Sequence, residues 1–158
     1  MDKAVVGIAE GRVVTGGQPL VSFALGSCVG VCMYDPGRKI AGMAHIILPE
    51  ARYAAQRDNP YKFAEEGIPC LLEEMKRNGA VTSRITAKIA GGARMFGDAG
   101  ARWAVGDMNV EAVKRALAAG GIPLAAEDTG GTHGRTITFY AEDGRLEIST
   151  VRHTTLVI

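Results

Sequence analysis

Apolar residues fall in short β-type bursts along most of this chain, and only two stretches carry a helical period. Residues 4–9 and 12–15 flank Glu10-Gly11, which predicts a tight first hairpin. Gly16-Gly17-Gln18-Pro19 breaks the pattern, and residues 20–25 resume it as a third strand. Two longer apolar runs, 29–34 and 40–48, flank Asp35-Pro36-Gly37-Arg38, where the fixed φ of proline and the permissive glycine favour a reversal. Residues 50–61, with Arg52, Arg57, Asp58, Asn59 and Pro60, show no apolar period and read as a loop. Over residues 61–76, Phe63, Ala64, Ile68, Leu71, Leu72 and Met75 recur near helical spacing, with Glu73, Glu74, Lys76 and Arg77 on the wet side. Pro69 is expected to kink that helix or to open a shorter one near Ile68, and Asn78-Gly79 ends it.

Beyond it, residues 85–90 read as a strand leading into a glycine-rich loop, 91–100. That loop has neither the G-x-G-x-x-G spacing nor a glycine followed by Lys-Ser/Thr, so close backbone approach explains its glycines better than phosphate binding. Asn109 is expected to cap a second helix over 110–119, with Glu111 in its first turn and Gly120-Gly121 past its end. A strand over 122–126 runs into Glu127-Asp128-Thr129-Gly130-Gly131, read as a turn. Its Asp-Thr-Gly is similar to an aspartic-protease loop but occurs once, where that chemistry needs two. His133 reads as an exposed loop residue. A last hairpin, 135–141 and 145–151, closes through Asp143-Gly144, and the tail adds an edge strand or packs on a partner. The order predicts one α+β domain over 1–158, with mixed, largely antiparallel sheets and two main helices.

With 158 residues, 47% hydrophobic and 22% charged, the chain is ordinary for a soluble globular domain, and a net charge of +1 gives no reason to expect nucleic acid or anionic membrane as partner. No apolar stretch is long enough to cross a bilayer and no signal-peptide core is visible, which leads to a cytoplasmic expectation. Three cysteines without regular spacing do not make a disulfide framework.

Candidate chemistry lies in the central hairpin. A reversal centred between Pro36 and Gly37 puts Cys28 directly across from His45, with Cβ atoms about 4.5–5.5 Å apart, near enough for a nucleophile pair. Cys32 and Cys70 read as packing residues. A zinc site from Cys28, Cys32 and His45 fails on distance, because four residues of strand separate the thiols by about 13 Å. Ser22, six residues before Cys28, has no role fixed by spacing, since Gly26 makes the strand discontinuous.

Leu25-Gly26-Ser27-Cys28-Val29-Gly30-Val31, Asp35-Pro36 and residues 42–49, Gly-Met-Ala-His-Ile-Ile-Leu-Pro, resemble the CheD family of bacterial chemotaxis proteins. So do Lys88-Ile89-Ala90-Gly91-Gly92-Ala93, Met95-Phe96, the helix start at Asn109 and residues 127–131 with Gly134-Arg135, so the resemblance spans nearly the whole chain. It implies a glutamine deamidase acting on the cytoplasmic helices of methyl-accepting chemoreceptors through a thioester, with no metal or cofactor. It also implies a CheC-type phosphatase as partner. Cys28 is the implied nucleophile and His45 the base, expected to lower the thiol pKa. Ser22 stands where the family usually has threonine, and the N–H groups around Gly26 and Ser27 are candidate oxyanion donors. The alternatives are a cysteine protease, which shares the acyl-enzyme, and a non-catalytic binding module.

Overall fold

A computed structural model describes residues 2–49, 59–95, 104–150 and 154–158. Its described strands are β1 (Ala4–Val5), β2 (Gly11–Val14), β3 (Pro19–Leu25), β4 (Val29–Asp35), β5 (Ile40–Ile46), β6 (Thr86–Gly91), β7 (Leu124–Thr129), β8 (Arg135–Tyr140), β9 (Leu146–Thr150) and β10 (Thr155–Val157). Two α-helices, α1 (Ala64–Arg77) and α2 (Val105–Ala119), complete an α+β fold. The strands form two five-stranded sheets, β1-β3-β8-β9-β10 and β2-β5-β4-β6-β7, in which β1 with β3 and β6 with β7 are parallel and the other pairs antiparallel.

The layering follows from side-chain alternation on β4 and β5, whose residues are buried throughout. Val29, Val31 and Met33, with Ala44 and Ile46, pack against Ile68, Leu71 and Met75 of α1 and Val113 and Leu117 of α2. Cys32 and Tyr34, with Ala41 and Met43, pack the other way, against Leu20, Leu25, Ile137, Phe139 and Ile148 of the first sheet. Three layers result: sheet, sheet, helices.

Several elements depart from the pattern read in the sequence. Residues 4–15 do not form a hairpin: β1 runs parallel to β3 in one sheet while β2 pairs β5 in the other. Short runs of two and four residues carry no record of their partners, and burial in different layers separates them. Pro69 lies inside α1, which is unbroken. Glu127, Asp128 and Thr129 belong to β7, and the turn follows at Gly130 and Gly131, both at positive φ. Asn109 is an interior residue of α2, not its cap, because the helix begins a turn earlier, after Ala104. The loops read over 50–61 and 91–100 lie largely outside the described residues.

The central hairpin forms as expected but in another register. Asp35 pairs with Ile40, leaving four loop residues, and Lys39 takes φ +52°. Every pair is thereby displaced, so that Gly30, not Cys28, lies opposite His45. A displacement by an even number keeps each side chain on its face.

Candidate active site

His45 shares the face of Met43 and Ala41 on β5 and so points between the sheets, toward β3. There Ser22 Oγ lies 2.8 Å from His45 Nδ1 and 2.8 Å from the carbonyl oxygen of Val6. A carbonyl only accepts, so the single hydroxyl proton goes to Val6 and the hydroxyl accepts from Nδ1–H. That fixes the neutral tautomer: Nδ1 carries the proton and Nε2 keeps its lone pair. Nε2 is buried and finds no hydrogen-bond partner among the described residues.

The main chain of His45 is equally fixed. Its N–H donates to the Glu10 carbonyl at 2.9 Å, and its carbonyl accepts from Ala9 N–H at 3.1 Å. Opposite, the Cδ1 of Ile137 fills the space where Gly30 lacks a side chain.

Cys28 precedes the first residue of β4, is half-buried and packs on the same intersheet cluster that His45 faces. Gly26, Ser27 and Cys28 form an elbow between β3 and β4, and three donors hold its carbonyls. Ala93 N–H donates to Gly26 O at 2.9 Å, Asn109 Nδ2 to Ser27 O at 3.0 Å and Gly92 N–H to Cys28 O at 2.8 Å. A trans peptide points its N–H opposite to the preceding carbonyl. With Gly26 O turned toward Ala93 and Ser27 O toward Asn109, the N–H groups of Ser27 and Cys28 face away from these two residues.

Burial decides the protonation of the pair. It raises the Cys28 thiol pKa, partly offset by the residue's own backbone N–H. It lowers that of His45, against a smaller opposing pull from Glu10. Where a thiol lowered by His45 is expected, the direction at Cys28 is upward and that at His45 downward, because desolvation penalises both charged forms. Cys32 is fully buried, its pKa raised by desolvation despite Lys88. Cys70 lies half-buried on α1.

Beside Gly26 a cavity of about 330 Å³ is bordered by Ala24, Met95, Arg135 and Ser149. Arg135, 8% exposed, donates from Nε to Asp128 at 3.1 Å and from Nη1 to Gly91 O at 3.3 Å, joining β8, β7 and β6 beneath the elbow. Sequence reasoning missed both Arg135 and Asn109 as neighbours of the elbow. The only signal was a polar residue in an otherwise apolar or glycine-rich context. No group of three or more metal-binding side chains occurs among the described residues, and no described helix is long and apolar enough to cross a membrane.

Residues 47–150 match the family described as CheD chemotactic sensory transduction. A probable chemoreceptor glutamine deamidase CheD of Caldanaerobacter subterraneus subsp. tengcongensis is 46% identical over 150 residues, 94% of this chain and 93% of that protein. The chemoreceptor glutamine deamidases CheD of Thermotoga maritima and Halalkalibacterium halodurans are each 44% identical, over 94% and 95% of this chain and 92% and 94% of theirs. Among solved structures, Bacillus licheniformis hypothetical protein YfiH aligns over 77% of this chain and 49% of that one, with 17% identity and a TM-score of 0.43. The full-length relatives extend across the Cys28 and His45 segments, which the family match, beginning at Ile47, does not reach.

Proposed function

The chain belongs to the CheD family, and on that premise we propose that it is a chemoreceptor glutamine deamidase working in the cytoplasm, with Cys28 as nucleophile and His45 as base. The observation that carries the site assignment is the Ser22–His45 bond, which leaves an unpaired Nε2 between the sheets where Cys28 packs.

Nε2 takes the thiol proton as Cys28 sulfur attacks the side-chain carboxamide carbon of a receptor glutamine. Ser22 steadies the imidazolium through Nδ1–H while the proton is held. The N–H groups of Ser27 and Cys28, in the segment that Gly26 opens, receive the oxyanion, each donor contributing about 3 kcal/mol by analogy with measured oxyanion sites. Collapse breaks the C–N bond, and the Nε2 proton leaves with the amine as ammonia. Water then attacks the thioester and gives a proton to Nε2, the C–S bond breaks, and the thiolate recovers that proton. Glutamate and free enzyme result. Water supplies the new carboxyl oxygen, and the proton released as the carboxylic acid ionises passes to ammonia.

The substrate is the cytoplasmic helical region of a methyl-accepting chemoreceptor, and a CheC-type phosphatase is the second partner that the family resemblance brings. The test is intact and peptide mass spectrometry of a receptor cytoplasmic fragment incubated with the protein. Amide-to-acid conversion at particular glutamines is expected. Cleaved main chain would replace the reading with a protease, and an intact, unmodified fragment that remains bound would replace it with a binding module.

A further inference from the structure

The last main-chain pair of the central hairpin is Val29 with Ile46, and beyond it the chain leading to the elbow and the chain leaving β5 diverge. One side chain spans the gap. Asn109, fully buried on α2, places Nδ2 3.0 Å from Ser27 O and 3.1 Å from Ile47 O. Both partners are carbonyls, so the nitrogen, not the oxygen, must face them, and its two hydrogens serve one each. Ser27 precedes Cys28, and Ile47 follows His45 by two positions.

Asn109 Oδ1 is buried and has no hydrogen-bond partner among the described residues. The surrounding backbone is arranged around it as well. At Gly106 any Cβ would collide with the carbonyl oxygens of Ala93 and Gly92, so glycine lets the first turn of α2 press on the segment whose N–H groups hold the elbow. Arg94 Nε, 2.9 Å from Asp107 Oδ2, ties the same segment to the same turn.

We propose that Asn109 is a positioning residue for deamidation: its amide clamps the peptide before the nucleophile to the strand end after the base. It touches neither sulfur nor substrate. Through Ser27 O it sets the plane of the Ser27–Cys28 peptide and hence the direction of the Cys28 N–H. Through Ile47 O it holds that peptide at a fixed distance from the strand carrying His45. The inference rests on Cys28 being the nucleophile.

The test compares Asn109→Ala with Val113→Ala, which weakens the same helix from its apolar face without touching the elbow. Two readouts are taken on the folded protein: kcat and KM on a receptor fragment, and the pH profile of Cys28 alkylation by iodoacetamide, resolved by peptide mass spectrometry. Asn109→Ala is expected to lower kcat about tenfold to a hundredfold with KM nearly unchanged, the scale of a roughly 1 Å misplacement. It should also move the Cys28 profile alkaline, since the thiol loses its oriented N–H. Val113→Ala should change neither. Should Asn109→Ala not fold, Asn109→Ser, which keeps one donor, is expected to show an intermediate loss of kcat and the same direction of shift. The inference is overturned if the Asn109 variants match Val113→Ala in kcat and in the alkylation profile. Wild-type protein that leaves receptor unmodified would instead overturn the deamidase reading, and the alkylation arm would still report on the clamp.

Discussion

A side chain on Gly91 would overlap the carbonyl oxygen of Cys28, and Gly91 holds φ at +117°. The end of β6 thus approaches the elbow so closely that only glycine fits, and the next N–H, from Gly92, donates to that same carbonyl. Gly91→Ala is expected to destabilise the fold by about 2 kcal/mol or more, since strain and overlap add. Gly121→Ala supplies the comparison: φ is +72° there, but nothing lies within 4 Å of the added carbon. Denaturant titration of the two variants isolates the overlap, and deamidation should fall in the folded fraction of the Gly91 variant only.

Ser22 is the acceptor that fixes the His45 tautomer. Ser22→Ala removes it and is expected to lower kcat about tenfold to a hundredfold, at or below the roughly 10²–10⁴-fold contributed by a positioned acid–base group itself, because Ser22 acts only through the orientation of His45. Ser22→Thr keeps the hydroxyl and should retain more activity than Ser22→Ala, although the added methyl enters a fully buried site. Nitrogen NMR of His45 gives the independent readout. The wild type should show a protonated Nδ1 and an unprotonated Nε2, and Ser22→Ala a mixture of tautomers.

The neutral pair makes a prediction in pH. Burial lowers the His45 pKa and raises that of Cys28, so both shifts favour the uncharged forms. The acid limb of kcat/KM should therefore lie below the ordinary histidine pKa of about 6.5, where Nε2 becomes protonated. Alkylation of Cys28 should rise only alkaline of a free thiol. A thiolate already formed at pH 6 would contradict the neutral pair. The sign for stability is also set: the unfolded chain takes up the His45 proton first as pH falls, so this group's contribution is present above about pH 6.5 and is lost as pH falls through its lower folded value.

Asp35 is a fold determinant remote from the chemistry. Its buried carboxylate accepts from Gly37 N–H and Val81 N–H, both at 2.8 Å, and from Arg84 Nε at 2.9 Å. Burial alone would raise its pKa, but the Arg84 bond and these N–H groups outweigh it, so the carboxyl stays ionised. Asp35→Ala leaves two backbone donors unpaired and is expected to lose about 2–4 kcal/mol in denaturant titration, with deamidation per folded molecule unchanged.

How much of this was legible in the sequence depended on the range of the interaction. Alternation and turn residues located β3 to β9 and both helices, because those signals are local. The turn at Pro36-Gly37 marked the hairpin, and parity along β4 and β5 put Cys32 and Tyr34 on the face of Met43 and Ala41. It did not give the register, since nothing in the sequence marks Lys39 for positive φ. Ser22 could be named only from the family resemblance, because its contact with His45 crosses from one sheet to the other. Asn109 looked like a cap, since a polar residue before an apolar period has that local meaning; its bonds to Ser27 and Ile47 are set wholly by tertiary packing. The thiol pKa needed burial, which no spacing encodes.

The most direct test of the mechanism asks which cysteine deamidation requires. A receptor cytoplasmic fragment is incubated with wild type and with Cys28→Ala, Cys32→Ala and Cys70→Ala, each corrected for folded fraction, and glutamine-to-glutamate conversion is followed site by site by mass spectrometry. Cys28→Ala alone is expected to abolish conversion. Wild-type rates in Cys28→Ala, or loss of conversion only in Cys70→Ala, would contradict it.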